Sequence, residues 1–158
     1  ASLGEPYGAT VASQLQRYPD VSVVISLEPD SIGNLVTNLS VPKCGNAAPA
    51  HKRLIGLAIA LLQLPNASLY LDGAHAGWLG SPDNLAPTAA VLGEILNNAK
   101  THNANATVRG LTTNVSNYNG LGNQEQQGRD ELKYINDLAP LLTAAGYPAH
   151  FIVSLLKL

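Results

Sequence analysis

A chain of 158 residues that is 46% hydrophobic and only 13% charged carries enough apolar material for one packed domain, and its composition excludes disorder. Its formal net charge of -2, without a Lys/Arg cluster, argues against a nucleic acid or an anionic membrane as partner, and no apolar run is long enough to span a bilayer. Cys44 is the one cysteine, so no internal disulfide can form.

In chain order, residues 1–7 contain Gly and Pro and are expected to be irregular. Residues 9–18 admit a short helix with Val11, Leu15 and Tyr18 on one side, stopped by Pro19. The run V-S-V-V-I-S-L-E at 21–28 then reads as a strand buried on both faces, and Pro29 ends it. That leaves Asp30 at the strand's carboxyl end, where α/β folds place catalytic groups. The same Asp30 also suits the N-cap of a brief helix over residues 31–38, and the spacing alone leaves both readings open. Pro42 and Gly45 mark a loop around Cys44, followed by a strong helix at 51–64 that Pro65 stops.

Residues 67–71 form a second strand that runs into Asp72. The Gly-rich loop at 73–84 reads as exposed and holds His75 and Trp78, the only tryptophan. A helix at 86–100 with Ala90, Leu92, Ile95 and Leu96 buried, a third strand at 107–111 and a polar stretch at 112–120 come next. The last elements are a helix at 124–145 and a fourth strand at 149–153. The helix has a charged first half, with Arg129, Asp130, Glu131 and Lys133, that reads as solvated; Gly146 suits its C-cap. Strands alternating with helices predict an α/β fold, a parallel sheet with flanking helices in a single domain over residues 1–158, with an apolar edge left open at the last strand.

Several chemistries find no support. Gly120-Leu-Gly122 begins a dinucleotide fingerprint, but Glu125 stands at its third glycine and no P-loop lysine motif exists. His51, His75, His102 and His150 lack paired ligand spacing, so no metal or other cofactor is expected. A serine nucleophile elbow is missing too. What remains is Asp30, Asp72, His75, Trp78 and Asn117, each following a predicted strand and therefore brought by a parallel sheet to one rim. Carboxylates and amides bond sugar hydroxyls while an indole stacks on the apolar face of a pyranose, so this set suits a sugar cleft. Trp78 also fits a partly buried loop anchor, and Asn117 an Asx-turn.

The residues also form a series of motifs in one order: L-E-P-D-S-I at 27–32, N-L-V-T-N-L at 34–39, P-K-C at 42–44, L-P-N at 64–66, Y-L-D at 70–72, H-A-G-W-L-G at 75–80 and R-G-L-x-T-N-V-x-N-Y-N-G at 109–120. Together they resemble the middle of the fungal glycoside hydrolase family 6 cellulases of the cellobiohydrolase II type, over about residues 19–153. The resemblance implies a partial, distorted β/α barrel and inverting hydrolysis of β-1,4-glucosidic bonds in cellulose or β-glucan. By motif, Asp30 matches the proton donor and Asp72 a second catalytic-site aspartate, while His75, Trp78 and Asn117 match sugar-contacting positions.

The departures carry expectations as well. Relatives are more than twice this length, so the chain is expected to be a fragment of the catalytic domain. It begins after the place of the family's arginine-aspartate-cysteine motif, whose cysteine would pair with Cys44, and it lacks the later segment that supplies the candidate base. Ser81 stands where many members have a second tryptophan. Activity of the chain is therefore expected to be feeble, and a non-catalytic carbohydrate-binding remnant of the same fold is the alternative. The unfinished barrel is expected to expose apolar edges and to self-associate.

No basic-then-apolar leader precedes residue 1, so a secreted, extracellular protein would be present here in mature or truncated form. Four sequons, Asn38-Leu-Ser40, Asn66-Ala-Ser68, Asn105-Ala-Thr107 and Asn114-Val-Ser116, are candidate glycosylation sites for a chain that passes through a secretory pathway, and give weak support to secretion.

Overall fold

In the computed structural model, which describes residues 4–117, 119–122 and 130–155, four short apolar runs pair as parallel strands. They are β1 (Val23–Leu27), β2 (Ala67–Asp72), β3 (Gly110–Thr113) and β4 (His150–Val153), and their order across the sheet is their order in the sequence. Ser26 lies beside Tyr70, Tyr70 beside Gly110, and Gly110 beside His150. Parallel pairing sends every carboxyl end to the same rim and requires a crossover between successive strands. The helices supply those crossovers.

β1 is not buried on both faces. It is an edge strand, and Val24, on the sheet face opposite Val23 and Ile25, is 60% exposed among the described residues. Val23, Ile25 and Leu27 point instead toward α3 and α1 across a shared apolar cavity, as the alternation of side chains along a strand requires. The third strand starts at Gly110 rather than at residue 107. Arg109 still donates its N–H to the Leu69 carbonyl at 2.7 Å, so the chain is in line with the sheet before the ladder begins.

The helices are α1 (Gly4–Arg17), α2 (Ser31–Thr37), α3 (Pro42–Leu61), α4 (Ala76–Leu79), α5 (Pro82–His102) and α6 (Glu131–Ala144). Three of them are longer at the start than the sequence suggests. α1 already runs from Gly4, through residues expected to be irregular. Pro42, read as a loop signal, sits at the start of α3, where its missing N–H is not needed, and the Gly45 N–H donates to the Val41 carbonyl at 2.9 Å. α5 likewise opens on Pro82. In α5 the buried neighbours of Leu92 and Ile95 are Ala89 and Leu96, while Ala90 is exposed. α6 begins at Glu131; the expected helical residues 124–129 lie outside the described residues. It ends as expected at Gly146, whose φ of 71° closes the cap while the Tyr147 N–H reaches back to Leu142.

α1 packs on α3, α3 on α5 and α5 on α6, forming a helical layer against one face of the sheet. The core between them includes Ile55, Ile59, Leu71, Leu92, Ile95, Leu111, Leu138 and Leu142, all at most 2% exposed. Each such side chain contributes about 1.5–3 kcal/mol by leaving water. At the amino-terminal end of the sheet, one side chain joins three segments. Asn66 Nδ2 donates to the carbonyls of Leu15, Tyr18 and Val21 at 3.0–3.2 Å, tying α1 and the lead into β1 to the start of β2. No helix among the described residues is long and apolar enough to cross a membrane.

Candidate active site at the carboxyl rim of the sheet

Three neighbouring strands end in the same unusual way. Glu28 (φ 60°) and Asp30 (φ 62°) follow β1, Ala74 (φ 53°) follows β2 and Asn114 (φ 59°) follows β3, all left-handed and none a glycine. Such residues cost of order 1–3 kcal/mol each and persist where surrounding bonds hold them. The bonds are present. The Asp30 N–H donates to Asp72 Oδ2 at 2.8 Å, the Gly73 N–H to Thr112 at 2.7 Å, and the Asn114 N–H to Ala74 at 2.9 Å.

Asp30 occupies the N-cap position of α2, but its side chain makes no capping bond there; the capping reading of the sequence therefore falls. Two other side chains hold the turn. His51 Nε2, from α3, is 2.7 Å from Ser31 Oγ and 3.3 Å from Glu28 Oε2, so it bridges the residues on either side of Pro29 and Asp30. Asn34 Nδ2 donates to the Asp30 carbonyl at 2.9 Å.

Asp72 is 1% exposed, and its Oδ1 has no hydrogen bond within the described residues. Burial pushes its carboxyl above the ordinary pKa; the amides of Asp30 and Ala74 partly offset this, and the nearby charge of Asp30 adds to the rise. Asp30 and Asp72 are thus held together, as strand-end placement suggests.

His75, Trp78 and Asn117 form a second group. Asn117 Nδ2 lies 3.4 Å from His75 Nε2, Asn119 Nδ2 lies 3.1 Å from His75 Nδ1, and the His75 and Trp78 rings are tilted at 57° with centroids 6.2 Å apart. The segment expected as an exposed loop is mostly folded inward, because α4 turns within it and buries Ala76 and Leu79. Trp78 is partly buried. Its Nε1 donates to Thr37 Oγ1 at 3.1 Å and its ring lies against Gly33, where a Cβ would stand 2.8 Å from Cζ2. It is an anchor between α4 and α2 whatever else it touches.

The residue that sequence reasoning missed is Glu131. It was grouped with Asp130 and Lys133 on a solvated face, yet it is fully buried. Its Oε2 accepts the Ala76 N–H at 2.9 Å and the Asn119 side-chain amide at 3.4 Å. Burial raises its pKa; the Ala76 amide, the Thr113 hydroxyl and Asn119 oppose the rise, although Thr113 Oγ1 itself makes no well-aligned bond. Tyr134, one turn on, donates its hydroxyl to the Gly73 carbonyl at 2.8 Å. The signal was present: Glu131, Tyr134, Leu138 and Leu142 share one helical stripe, so the Leu-rich half of α6 already fixed which face turns inward.

The arrangement offers two neighbouring acids, Asp72 buried with its carboxyl pKa raised by that burial and Asp30 bonded to it through its backbone amide, and a second group of a histidine, an indole and amides. Among the described residues, no group of three His, Cys, Asp or Glu side chains is placed to hold a metal ion. A cavity of about 620 Å³ lies behind β1, lined by apolar residues such as Val11, Ile25 and Leu54, and meets the site only at Glu28, Pro29 and His51.

Residues 4–155 match the family model described as glycosyl hydrolases family 6, a wider span than the motifs at 19–153. A probable 1,4-beta-D-glucan cellobiohydrolase C of Aspergillus fumigatus is 46% identical over 154 residues, covering 93% of this chain and 33% of the relative. The crystal structure of CcCel6C from Coprinopsis cinerea, a glycoside hydrolase family 6 enzyme, superposes with a TM-score of 0.90 at 45% identity over 96% of this chain and 43% of that one. Cellobiohydrolase II (Cel6A) from Humicola insolens, solved with glucose and cellotetraose, gives a TM-score of 0.84 at 39% identity over the same 96%, and 43% of its own length. The chain spans about a third of the length of the curated relatives it matches.

Proposed function

The chain belongs to glycosyl hydrolases family 6, and from that premise we propose that its carboxyl rim is the acid-bearing part of a site that hydrolyses β-1,4-glucosidic bonds in cellulose or β-glucan with inversion. The observation that carries this reading is the bond from the Asp30 amide to the Asp72 carboxylate, which fixes two acids of adjacent strands side by side. Asp30 is the proton donor to the leaving glycosidic oxygen, and water attacks the anomeric carbon from the opposite face. Asp72 positions the Asp30 turn and adds a buried carboxyl beside it. His75, Trp78 and Asn117 line the path of the glucan, with the indole as platform and the amide and imidazole bonding hydroxyls.

The fungal sources of the relatives and the exposure of some sequons support a further reading, that this is a secreted fungal glycoprotein acting outside the cell. The open edges of β1 and β4 support self-association. Residues 1–158 then form a single partial catalytic domain.

Reducing-sugar release from swollen cellulose and mixed-linkage β-glucan tests the proposal, with Asp30→Asn as the comparison. Removing the proton donor is expected to lower release by on the order of a hundredfold or more. Equal release by parent and variant removes Asp30 from the role. Binding of cellotetraose by both proteins, with release by neither, favours the carbohydrate-binding reading, for which the firmly anchored Trp78 is the supporting feature.

A further inference from the structure

The four sequons are alike in sequence and unlike in structure. Asn66 uses its amide hydrogens on three carbonyls, those of Leu15, Tyr18 and Val21. A sugar on that nitrogen would remove a hydrogen and place a bulky ring where α1 meets the sheet. Asn114 is 1% exposed; its Nδ2 donates to the Asn119 carbonyl at 3.0 Å and its Oδ1 accepts the Asn119 amide at 3.1 Å. Asn38 is half-buried at the end of α2, with its Nδ2 on Asn34 Oδ1 at 2.6 Å. Asn105 differs from all three. It is exposed, and among the described residues its side-chain amide makes no hydrogen bond.

The local backbone presents it outward. The Asn105 N–H donates to Asn103 Oδ1 at 3.1 Å and the Ala106 N–H to the Asn103 carbonyl at 2.8 Å, a tight turn with Asn105 at its tip. Ala106 and Val108 are buried on either side of Thr107, so the turn is fixed to the core, while Thr107, the third sequon residue, is itself exposed. The turn leads into β3, so it lies at the amino-terminal end of a parallel sheet, opposite the rim that carries Asp30 and Asp72.

We propose that Asn105 is the N-linked glycan acceptor of this protein, and that Asn66 and Asn114 are structural asparagines despite their sequons. The donor is a lipid-pyrophosphate-linked oligosaccharide. The Asn105 Nδ2 forms a bond to the anomeric carbon, the bond from that carbon to the pyrophosphate oxygen breaks, one amide proton is lost, and the lipid pyrophosphate leaves; nothing is oxidised or reduced. A glycan at this tip extends into solvent and leaves the carboxyl rim free. The inference rests on the reading that the protein is secreted.

The test expresses the chain behind a eukaryotic secretory leader, so that natural localisation does not enter. Peptide mapping after peptide N-glycosidase treatment, which leaves Asp at each site that bore a glycan, is applied to the secreted and the cell-retained pools alike. The expected result is Asp at position 105, Asn at 66 and 114, and a lower intact mass for Asn105→Gln before deglycosylation. Unmodified Asn105 in both pools overturns the proposal. So does a glycan on Asn66 or Asn114 in material that still melts cooperatively. The secretion reading is measured separately, by whether the natural source releases the protein to its medium.

Discussion

Glu131 shows how one side chain can link two parts of a rim. Its carboxylate receives the Ala76 amide from the β2 side and the Asn119 amide, which in turn touches His75. Replacing it with alanine leaves the buried Ala76 N–H without a partner, a loss of about 1–3 kcal/mol. Glu131→Gln keeps the acceptor and is expected to lose less, and its pH dependence is the sharper test. Because burial raises the folded-state pKa above the unfolded one, the native state binds the proton more tightly. The stability this group supplies is full below the ordinary carboxylate pKa and is lost as pH climbs through the raised value. Urea midpoints at several pH values should therefore fall with rising pH in the parent, and fall less steeply in Glu131→Gln. Asp72, raised for the same leading reason, retains part of the slope. An unchanged slope would show that Glu131 titrates normally. The charges of Asp130 and Lys133 hid this residue from a reading by composition, whereas the stripe through Tyr134 and Leu138 revealed its face.

Among the elements, α2 and α4 depend on a contact that no periodicity announces. Gly33 in α2 gives the Trp78 ring room, and a methyl group there would approach Cζ2 to 2.8 Å. Gly33→Ala is expected to push the indole outward, with a loss of about 1–3 kcal/mol and a red-shifted tryptophan emission as the ring meets water. Unchanged emission would mean that the ring has slack. The strands and most helices were legible, because apolar runs bounded by Pro65 and Gly146 leave few alternatives. The starts of α1, α3, α5 and β3 were not. Pro42 reads as a breaker until the first turn of α3 is seen to tolerate it, and the third strand shifts because pairing with Tyr70 through Asp72, not local propensity, decides where the ladder begins. Strand-end placement anticipated that Asp30 and Asp72 meet, whereas His75, Trp78 and Asn117 form a second group that depends on α4 and on side-chain bonds rather than on strand pairing alone. The bridge by His51 comes from a helix far along the chain, and the left-handed turns have no glycine to signal them.

For the whole molecule, we propose that the exposed strands at the two ends of the sheet drive association in solution. Val24 is 60% exposed on β1 and Ile152 39% exposed on β4, with Leu155 beyond it. Open apolar edges template pairing with another chain, and an edge lysine suppresses it. Sedimentation across a concentration series should show association in the parent and a clear shift toward monomer in Val24→Lys, with the thermal midpoint little changed. Equal association of both would place the contact elsewhere.

The Asn66 junction gives this edge a further meaning. One carboxamide collects the end of α1 and the approach to β1, so these two segments share a fastening at the point where the β1–β2 ladder begins. Segments fastened together open together, as one sub-global unit that can part from the sheet before the Leu-rich centre yields. Asp30 rides at the far end of that unit. Gentle warming would then silence the chemistry proposed for the rim while most of the fold persists, so inactivation and melting would be separate events in this protein.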